Sequence, residues 1–127
     1  MYGGIYRTGV GKDKKNKTML TRNAVIEIVK NYAKEIEQQG VHLRTVILYG
    51  SFAKGRQHEW SDIDVALVAD EFTGLGFLDK KRFAGITVQK PYIRIEAKTY
   101  PTEYFHSGDP FINEIKKEGI TIVDRME

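Results

Sequence analysis

The clearest hydrophobic pattern in the chain is a helical one that starts near residue 21. Apolar side chains recur three and four residues apart, as on the buried face of a helix. The positions are Val25, Ile28, Val29, Tyr32, Ala33 and Ile36. Thr21 is a suitable N-cap and Gly40 a suitable stop. The spacing therefore predicts an amphipathic helix that ends before Gly40.

Three later segments show the patterns of β-strands. Val41 to Tyr49 ends in an apolar run that is typical of a buried strand. From Asp62 onward apolar and polar residues alternate, which predicts a strand with Asp62 and Asp64 together on its polar face. Tyr92 to Lys98 alternates in the same way, with Glu96 on the polar face of this strand.

Two further helices and a last strand complete the predicted elements. The segment from Phe77 to Ala84 suggests a helix, although its periodicity is poor. Asp109 as N-cap and Pro110 at the first helical position predict a short helix that ends at Gly119. Residues 120–123 predict an edge strand. Helices and strands that alternate in one small unit indicate an α/β or α+β domain built on one sheet.

Length and composition are those of one ordinary globular domain. The chain has 127 residues, of which 41% are apolar and 29% charged. It has no cysteine, which excludes disulfides and thiolate metal sites. No apolar run approaches the roughly 20 residues of a membrane span, and the N-terminus has no signal-peptide core. We therefore expect a cytoplasmic protein without a membrane partner.

The charge is distributed unevenly along the chain. A formal net charge of +3 and a pI of about 9.0 suggest a nucleic-acid-binding protein. Residues 1–18, however, hold five basic residues against one acidic residue, a net charge of +4, which leaves −1 for the rest. We interpret residues 1–18 as a basic, flexible N-terminal arm and residues 19–127 as the domain. Nucleic-acid binding through Arg7 to Lys17 is a minor hypothesis, because basic chain ends are common.

The candidate chemistry lies between the first two predicted strands. Gly50 and Ser51 follow a strand and open a helical turn that Gly55 ends, where backbone N–H groups and a hydroxyl can hold a phosphate. Asp62 and Asp64 follow Gly50 by 12 and 14 residues, and their oxygens suit Mg²⁺. Neighbouring carboxylates repel each other, so a bound cation is the natural reason for the pair.

A site with two metal ions needs a third acid, and Glu96 is the best candidate. Beside Asp62 and Asp64 it would complete a catalytic set that holds two Mg²⁺ ions. The reaction would be in-line attack of a hydroxyl on the α-phosphate of a nucleoside triphosphate, with release of pyrophosphate. Lys54 and Arg56 follow the phosphate-binding turn and are candidates to neutralise the triphosphate, or else solvated loop residues.

The remaining side chains that could carry chemistry give weaker signals. The histidines His42, His58 and His106 lack the spacing of metal ligands, so we expect surface or capping roles. Trp60 is expected to pack its polar loop against the sheet, with stacking on a nucleobase as the alternative. Tyr49 is expected in the core.

The combination Gly50-Ser51-x(10)-Asp62-x-Asp64 resembles the signature of the polymerase-beta-like nucleotidyltransferase superfamily. The chain length is similar to that of its minimal nucleotidyltransferase (MNT) branch, and the resemblance covers about residues 20–123. It implies a mixed β-sheet flanked by helices, with the two aspartates as Mg²⁺ ligands. It also implies that Gly50 and Ser51 bind the triphosphate and that Glu96 is the third acid. The N-terminal arm matches nothing in the superfamily.

The MNT branch also implies a partner. Its members commonly pair with a separately encoded HEPN protein in toxin–antitoxin systems, and the HEPN signature Arg-x(4)-His-x-Tyr is absent here, so this chain would be the MNT half. The resemblance thus implies an antitoxin that transfers AMP from ATP to a hydroxyl, most simply a tyrosine of the HEPN toxin, in a hetero-oligomer. Alternatives are neutralisation by complex formation without catalysis, and transfer to a small molecule or an RNA.

Overall fold

The computed structural model describes residues 20–126. The predicted N-terminal arm, residues 1–18, lies outside the described residues. In chain order the elements are α1 (Arg22–Gln38), β1 (Leu43–Tyr49), α2 (Ser51–Lys54), β2 (Ile63–Ala69), α3 (Gly76–Asp79), a 3₁₀ turn (Lys80–Phe83), α4 (Ala84–Thr87), a second 3₁₀ turn (Lys90–Tyr92), β3 (Ile95–Pro101), α5 (Thr102–Ser107), α6 (Pro110–Glu118) and β4 (Ile120–Asp124). No helix in residues 20–126 is both long enough and apolar enough to cross a membrane.

Helix α1 follows its predicted pattern closely. The hydroxyl of Thr21 accepts a hydrogen bond from the backbone N–H of Ala24 at 3.0 Å, which is the expected N-cap. The helix ends at Gln38, and Gly40 takes a φ of 94° that favours glycine. Its buried residues are Val25, Val29, Tyr32, Ala33 and Ile36. The predicted apolar face is therefore the face that packs on the sheet.

Four strands form one mixed sheet in the order β3-β2-β1-β4. Strand β1 is antiparallel to both of its neighbours, whereas β2 and β3 run parallel. Strand β4 lies at one edge, as its sequence predicts. The mixed α+β architecture with helices against the sheet confirms the predicted fold class.

The two faces of the sheet carry separate hydrophobic cores. On one face α1 and the turns of residues 76–92 cover the strands, and on the other face α5 and α6 do so. The second core is the smaller one and comprises Ile47, Ala66, Val68, Phe105, Ile112 and Ile115. Because side chains alternate along a strand, the even-numbered residues of β2 lie on this second face. Asp64 is one of them.

Three elements of the structure differ from the predicted ones. Strand β3 starts at Ile95 and not at Tyr92, because Pro91 lies in a 3₁₀ turn, and Ile93 is 66% exposed after it. Helix α5 was not predicted, since six residues show no helical period. The helix expected over Phe77 to Ala84 is a series of short turns.

A buried carboxylate connects the C-terminal ends of β2 and β3. Asp79 is 1% exposed and accepts hydrogen bonds from the backbone N–H groups of Thr73 and Gly74, at 2.8 and 2.9 Å. The hydroxyls of Thr73 and Thr99 donate at 3.0 and 2.7 Å. Burial opposes ionisation of Asp79, but the hydrogen bonds, that of Thr99 first, outweigh it and lower the pKa of this carboxyl.

Candidate functional site

The parallel pairing of β2 and β3 brings the predicted acidic residues together. Asp64 and Glu96 are register partners on these strands, whose backbones lie about 4.8 Å apart in a typical sheet. Asp62 precedes β2 directly and shares the alternation of Asp64. Asp62 and Glu96 are exposed, and Asp64 is half-buried. We call these three side chains the acidic cluster.

Gly50 brings the turn after β1 into contact with this cluster. Its φ of 77° lies in the left-handed region, and its neighbour Ser51 begins α2. A Cβ atom at Gly50 would overlap Oδ2 of Asp64 and lie 3.0 Å from the Cγ atom of the same residue. Only glycine therefore lets the turn approach the carboxylate this closely. The strand, turn and helix expected around Gly50 and Ser51 are present.

The acidic cluster has an unfavourable concentration of negative charge. Burial, then Asp62, then Glu96 raise the pKa of Asp64, and Lys98 partly opposes them. Among the hydrogen bonds and ion pairs of residues 20–126, none involves the carboxylate of Asp62, Asp64 or Glu96. Within the described residues, these oxygens therefore have no competing hydrogen-bond donor.

The donor set of the cluster suits Mg²⁺, which binds through hard carboxylate oxygens and completes its shell with water and phosphate. The crowding that raises the pKa of Asp64 is the charge arrangement that a divalent ion relieves. Within residues 20–126, however, no three His, Cys, Asp or Glu side chains are gathered closely enough to form a ready metal site. The fit to Mg²⁺ consequently rests on the carboxylate chemistry and on the strand register, and not on a preformed set of ligands.

A hollow of about 190 Å³ adjoins Gly50 on the side of α6. Its lining residues are Tyr49, Gly50, Lys54, Phe111, Glu114, Ile115 and Glu118. The rings of Tyr49 and Phe111 meet edge to face at a centroid distance of 5.8 Å. Tyr49 is half-buried beside the second core, and burial followed by the charge of Asp64 raises the pKa of its hydroxyl. The hydroxyl of Tyr49 therefore stays protonated, and its side chain lines the hollow.

The two basic candidates of the turn have different surroundings. The ammonium of Lys54 lies 3.0 Å from a carboxylate oxygen of Glu118 and 3.8 Å from one of Glu114, both on α6. Arg56 is exposed, and within the described range its side chain makes no hydrogen bond or ion pair. Lys54 is therefore close to the phosphate-binding turn but already has anionic partners.

Arg22 holds the turn in place, a role that no sequence pattern indicates. Its Nε and Nη2 atoms donate to the backbone carbonyls of Phe52 and Ala53, each at 3.2 Å. These carbonyls belong to α2, which is too short to satisfy them internally. The first turn of α1 thereby fixes the position of Gly50 and Ser51, although Arg22 lies about 30 residues away in sequence.

A second arginine fixes the loop before β2. Nη2 of Arg94 donates to the carbonyls of Glu59 and Ser61, at 3.2 and 2.5 Å. The hydroxyl of Ser61 accepts from the backbone N–H of His58 at 2.8 Å, which closes the loop on itself. The expectation that Trp60 packs this loop on the sheet is wrong: Trp60 is 78% exposed, and Arg94 anchors the loop instead.

The histidines follow the expectation of surface or capping roles. His42 is exposed and pairs with Glu71 through both its backbone N–H and Nδ1, at 3.0 and 2.9 Å. Nδ1 of His58 accepts from the backbone N–H of Trp60 at 3.3 Å.

Comparison with known proteins gives one family and two solved structures. The family model described as "Nucleotidyltransferase domain" matches residues 26–122. A Sulfolobus solfataricus protein assigned as a nucleotidyltransferase is 16% identical, with a TM-score of 0.55 over 89% of this chain and 90% of that chain. A toxin-antitoxin solved with AMP-PNP is 18% identical, with a TM-score of 0.45 over 83% of this chain and 74% of that chain. No curated protein matches significantly. At 16% identity, the match to the Sulfolobus solfataricus protein shows a shared fold and no more.

Proposed function

Since the chain belongs to the nucleotidyltransferase domain family, we propose that it transfers AMP from ATP to a hydroxyl group of a partner protein, with Mg²⁺ as cofactor. The observation that carries the proposal is the contact between the Gly50 turn and Asp64, which lies beside Asp62 and Glu96. A phosphate-binding turn and a set of carboxylates that meet at one point are what in-line phosphoryl chemistry requires.

The turn would bind the triphosphate. The backbone N–H groups of the first turn after Gly50 and the hydroxyl of Ser51 would donate to phosphate oxygens. Arg22 keeps this turn in position through the carbonyls of α2. Lys54 and Arg56 would contribute positive charge, Lys54 by exchanging its glutamate partners for phosphate.

The acidic cluster would hold the metal and manage the proton. Asp62, Asp64 and Glu96 would be the ligands, and the bound Mg²⁺ supplies neutralisation of the triphosphate charge and orientation of the reacting groups. Glu96 would also accept the proton of the attacking hydroxyl. The hydroxyl oxygen bonds to the α-phosphorus while the bond to the bridging oxygen breaks, and pyrophosphate leaves.

The acceptor would be a protein hydroxyl, as the resemblance to the MNT branch implies: a tyrosine of a separately encoded HEPN toxin that this chain neutralises. Exposed Trp60 and Ile93 flank the Arg94 anchor, within three residues of Asp62 and Glu96 respectively. An aromatic and an aliphatic side chain in water next to the chemistry suit contact with another protein.

The test is transfer of radiolabel from α-labelled ATP to the purified partner. We expect label on a tyrosine of the partner, and a loss of about 10²–10³-fold in the Asp62→Asn variant, as when one group that stabilises transition-state charge is removed. Asp70→Asn is the matched control, because Asp70 is an exposed aspartate paired with Arg44 at the far end of β2. Equal transfer by Asp62→Asn and the unchanged chain contradicts the proposal.

One observation favours a non-catalytic antitoxin. The acidic side chains within residues 20–126 form no ready three-ligand metal site. In that case the chain would neutralise its partner by binding alone. The double variant Asp62→Asn, Asp64→Asn distinguishes the two functions in cells that express the toxin: full protection by the double variant favours binding alone, and lost protection favours catalysis.

A further inference from the structure

Lys98 places a positive charge beside the acidic cluster. It follows Glu96 by two residues on β3, and because side chains alternate along a strand, both lie on the same face of the sheet. The register partner of Lys98 on β2 is Ala66, a residue of the second core. The ammonium is near enough to Asp64 for its charge to oppose the rise in the pKa of that carboxyl, which burial causes first. Lys98 therefore adjoins the cluster on the side of the second core.

Phe111 holds the ammonium of Lys98 in this position. The Nζ atom lies 5.8 Å from the centroid of the Phe111 ring, which is within the range of a cation–π contact. The same ring meets the ring of Tyr49, on β1, edge to face. Because it contacts side chains of β1 and β3 on one face, Phe111 lies over β2, the strand between them. Asp64 belongs to that strand, so the ammonium is held next to it by an aromatic ring.

The charge of Lys98 is not balanced by a carboxylate of residues 20–126, since it forms no ion pair with any of them. Three other basic residues near the site do have partners. Lys54 pairs with glutamates of α6, and Arg22 and Arg94 donate to backbone carbonyls. A lysine that only balances a carboxylate approaches its oxygens to within about 4 Å, and Lys98 does so with none of the cluster. Its N–H donors can therefore serve an anion that binds there.

We propose that Lys98 is a catalytic residue whose ammonium donates a hydrogen bond to a non-bridging oxygen of the α-phosphate during transfer. This role rests on the proposed function and deepens it. The triphosphate lies on the Gly50 turn and the acceptor hydroxyl at Glu96. The α-phosphorus then lies between them, next to Asp64 and within reach of Lys98.

The ammonium stabilises charge while the bonds to phosphorus change. The acceptor oxygen bonds to the α-phosphorus, the bond from that phosphorus to the bridging oxygen breaks, pyrophosphate leaves, and Glu96 takes the proton of the hydroxyl. Negative charge is spread over the non-bridging oxygens in this transition state. Lys98 keeps its three protons throughout, and its hydrogen bond strengthens as that charge develops.

The first test measures transfer of AMP to the partner by Lys98→Met, which keeps the aliphatic part of the side chain and removes its charge. We expect kcat to fall about 10²-fold and KM for ATP to rise only about threefold, since the contact is strongest in the transition state. Lys98→Arg should recover part of the loss. The matched control is Lys116→Met: its ammonium also lies over a ring, that of Phe105 at 4.9 Å, but on α6. Both methionine variants should keep the melting temperature. An unchanged kcat in Lys98→Met overturns the role.

The second test identifies the oxygen that accepts the hydrogen bond. In ATP with one non-bridging α-oxygen replaced by sulfur, the two diastereomers place this poor acceptor at different positions. One of them should react more slowly than ATP with the unchanged chain because the sulfur faces Lys98. In Lys98→Met that penalty should shrink about tenfold, since the donor is absent, and the penalty of the other diastereomer should stay the same. Penalties that Lys98→Met leaves unchanged for both diastereomers overturn the contact with the α-phosphate.

A binding measurement separates this role from the proposed function, because it needs neither a partner nor turnover. Calorimetric titration with Mg²⁺ and the α,β-methylene analogue of ATP should show binding about threefold weaker in Lys98→Met, and unchanged in Lys116→Met, as expected for one exposed charge. Weaker binding without any transfer by the unchanged chain overturns the proposed function and supports the phosphate contact. Transfer and binding that are both unaffected in Lys98→Met overturn the role of Lys98 and leave the proposed function standing. No transfer together with equal binding overturns both.

Discussion

The two ends of the β2–β3 strand pair use carboxylates in opposite ways. At the N-terminal end Asp64 lies with Asp62 and Glu96, accepts no hydrogen bond from a described residue, and has a raised pKa. At the C-terminal end Asp79 accepts four hydrogen bonds, one of them from Thr99 of β3, and has a lowered pKa. Asp79, which connects β3 to the segment after β2, is thus fully hydrogen-bonded. Asp64, which would bind a ligand, accepts no hydrogen bond from a described residue.

The pKa directions give these carboxylates opposite effects on stability. Because the pKa of Asp79 is lower in the folded chain, its ionised form stabilises the fold above the ordinary aspartate range, and this contribution is lost as the pH falls through the folded pKa. Because the pKa of Asp64 is higher in the folded chain, its ionisation weakens the fold once the pH rises through the folded pKa.

The largest expected effect is loss of stability at Asp79. In Asp79→Asn the amide nitrogen faces one backbone N–H and one threonine hydroxyl at a position that is 1% exposed. The hydroxyl can rotate to accept, but the backbone donor loses its partner. We expect the free energy of unfolding at pH 7 to fall by about 2–3 kcal/mol, as for buried donors left unsatisfied. Urea unfolding followed by circular dichroism measures it.

Two further measurements sharpen this prediction. Asp70→Asn, an exposed neighbour in sequence, should change the free energy of unfolding by less than about 0.5 kcal/mol. The deficit of Asp79→Asn should shrink as the pH falls through the folded pKa, since the native carboxyl is then protonated as well. A deficit that is constant from pH 7 to strongly acidic pH would show that ionisation of Asp79 contributes nothing.

The next largest effect is expected where the turn meets the cluster. Gly50→Ala places a Cβ atom at a φ of 77° and against Asp64, so we expect a loss of about 2 kcal/mol, roughly half of it from the backbone conformation. The control is Gly85→Ala, which has open space and no positive φ. Thermal unfolding compares them. If the overlap contributes, Gly50→Ala will be less harmful in an Asp64→Ala background than in the unchanged chain.

Sequence patterns were sufficient for the features that depend on nearby residues. The period of α1 and the Thr21 cap lie within one segment, as do the strand and turn at Gly50. Sequence patterns were insufficient where a residue contacts a partner that is distant in the chain. Arg94 takes over the anchoring expected of Trp60, and α5 is too short to show a period.

In the candidate site, too, the local features could be predicted from the sequence and the long-range ones could not. Alternation placed Asp62 and Asp64 on one strand face, and Glu96 on the polar face of another strand. That the two strands are parallel neighbours, with Asp64 opposite Glu96, is a property of the sheet order. The Asp79 network was not foreseen, because its donor Thr99 lies 20 residues away and Asp79 falls in a segment of poor periodicity.

A smaller effect of opposite sign is expected at Asp64. Asp64→Asn removes one of the crowded charges, so we expect the free energy of unfolding at pH 7 to rise by about 0.5 kcal/mol, a modest gain because the side chain is only half-buried. Transfer activity should be lost in the same variant. The gain should vanish at acidic pH, where the native carboxyl is protonated. A stability loss at pH 7 would refute the contrast with Asp79.

The smallest effect is expected at Lys54. It lies in the phosphate-binding turn, but it is paired with two glutamates of α6. Its ammonium is paired with Glu118 and Glu114, and such partly exposed pairs contribute about 0–1 kcal/mol, so Lys54→Met should change the free energy of unfolding by no more than about 0.5 kcal/mol. If the side chain exchanges glutamate for triphosphate, a non-hydrolysable ATP analogue should bind about threefold more weakly, and the difference should diminish with added salt. Calorimetric titration beside Arg56→Met measures both basic residues under the same conditions. Unchanged affinity at low salt would assign Lys54 to the packing of α6 and leave Arg56 as the basic residue of the turn that reaches the nucleotide.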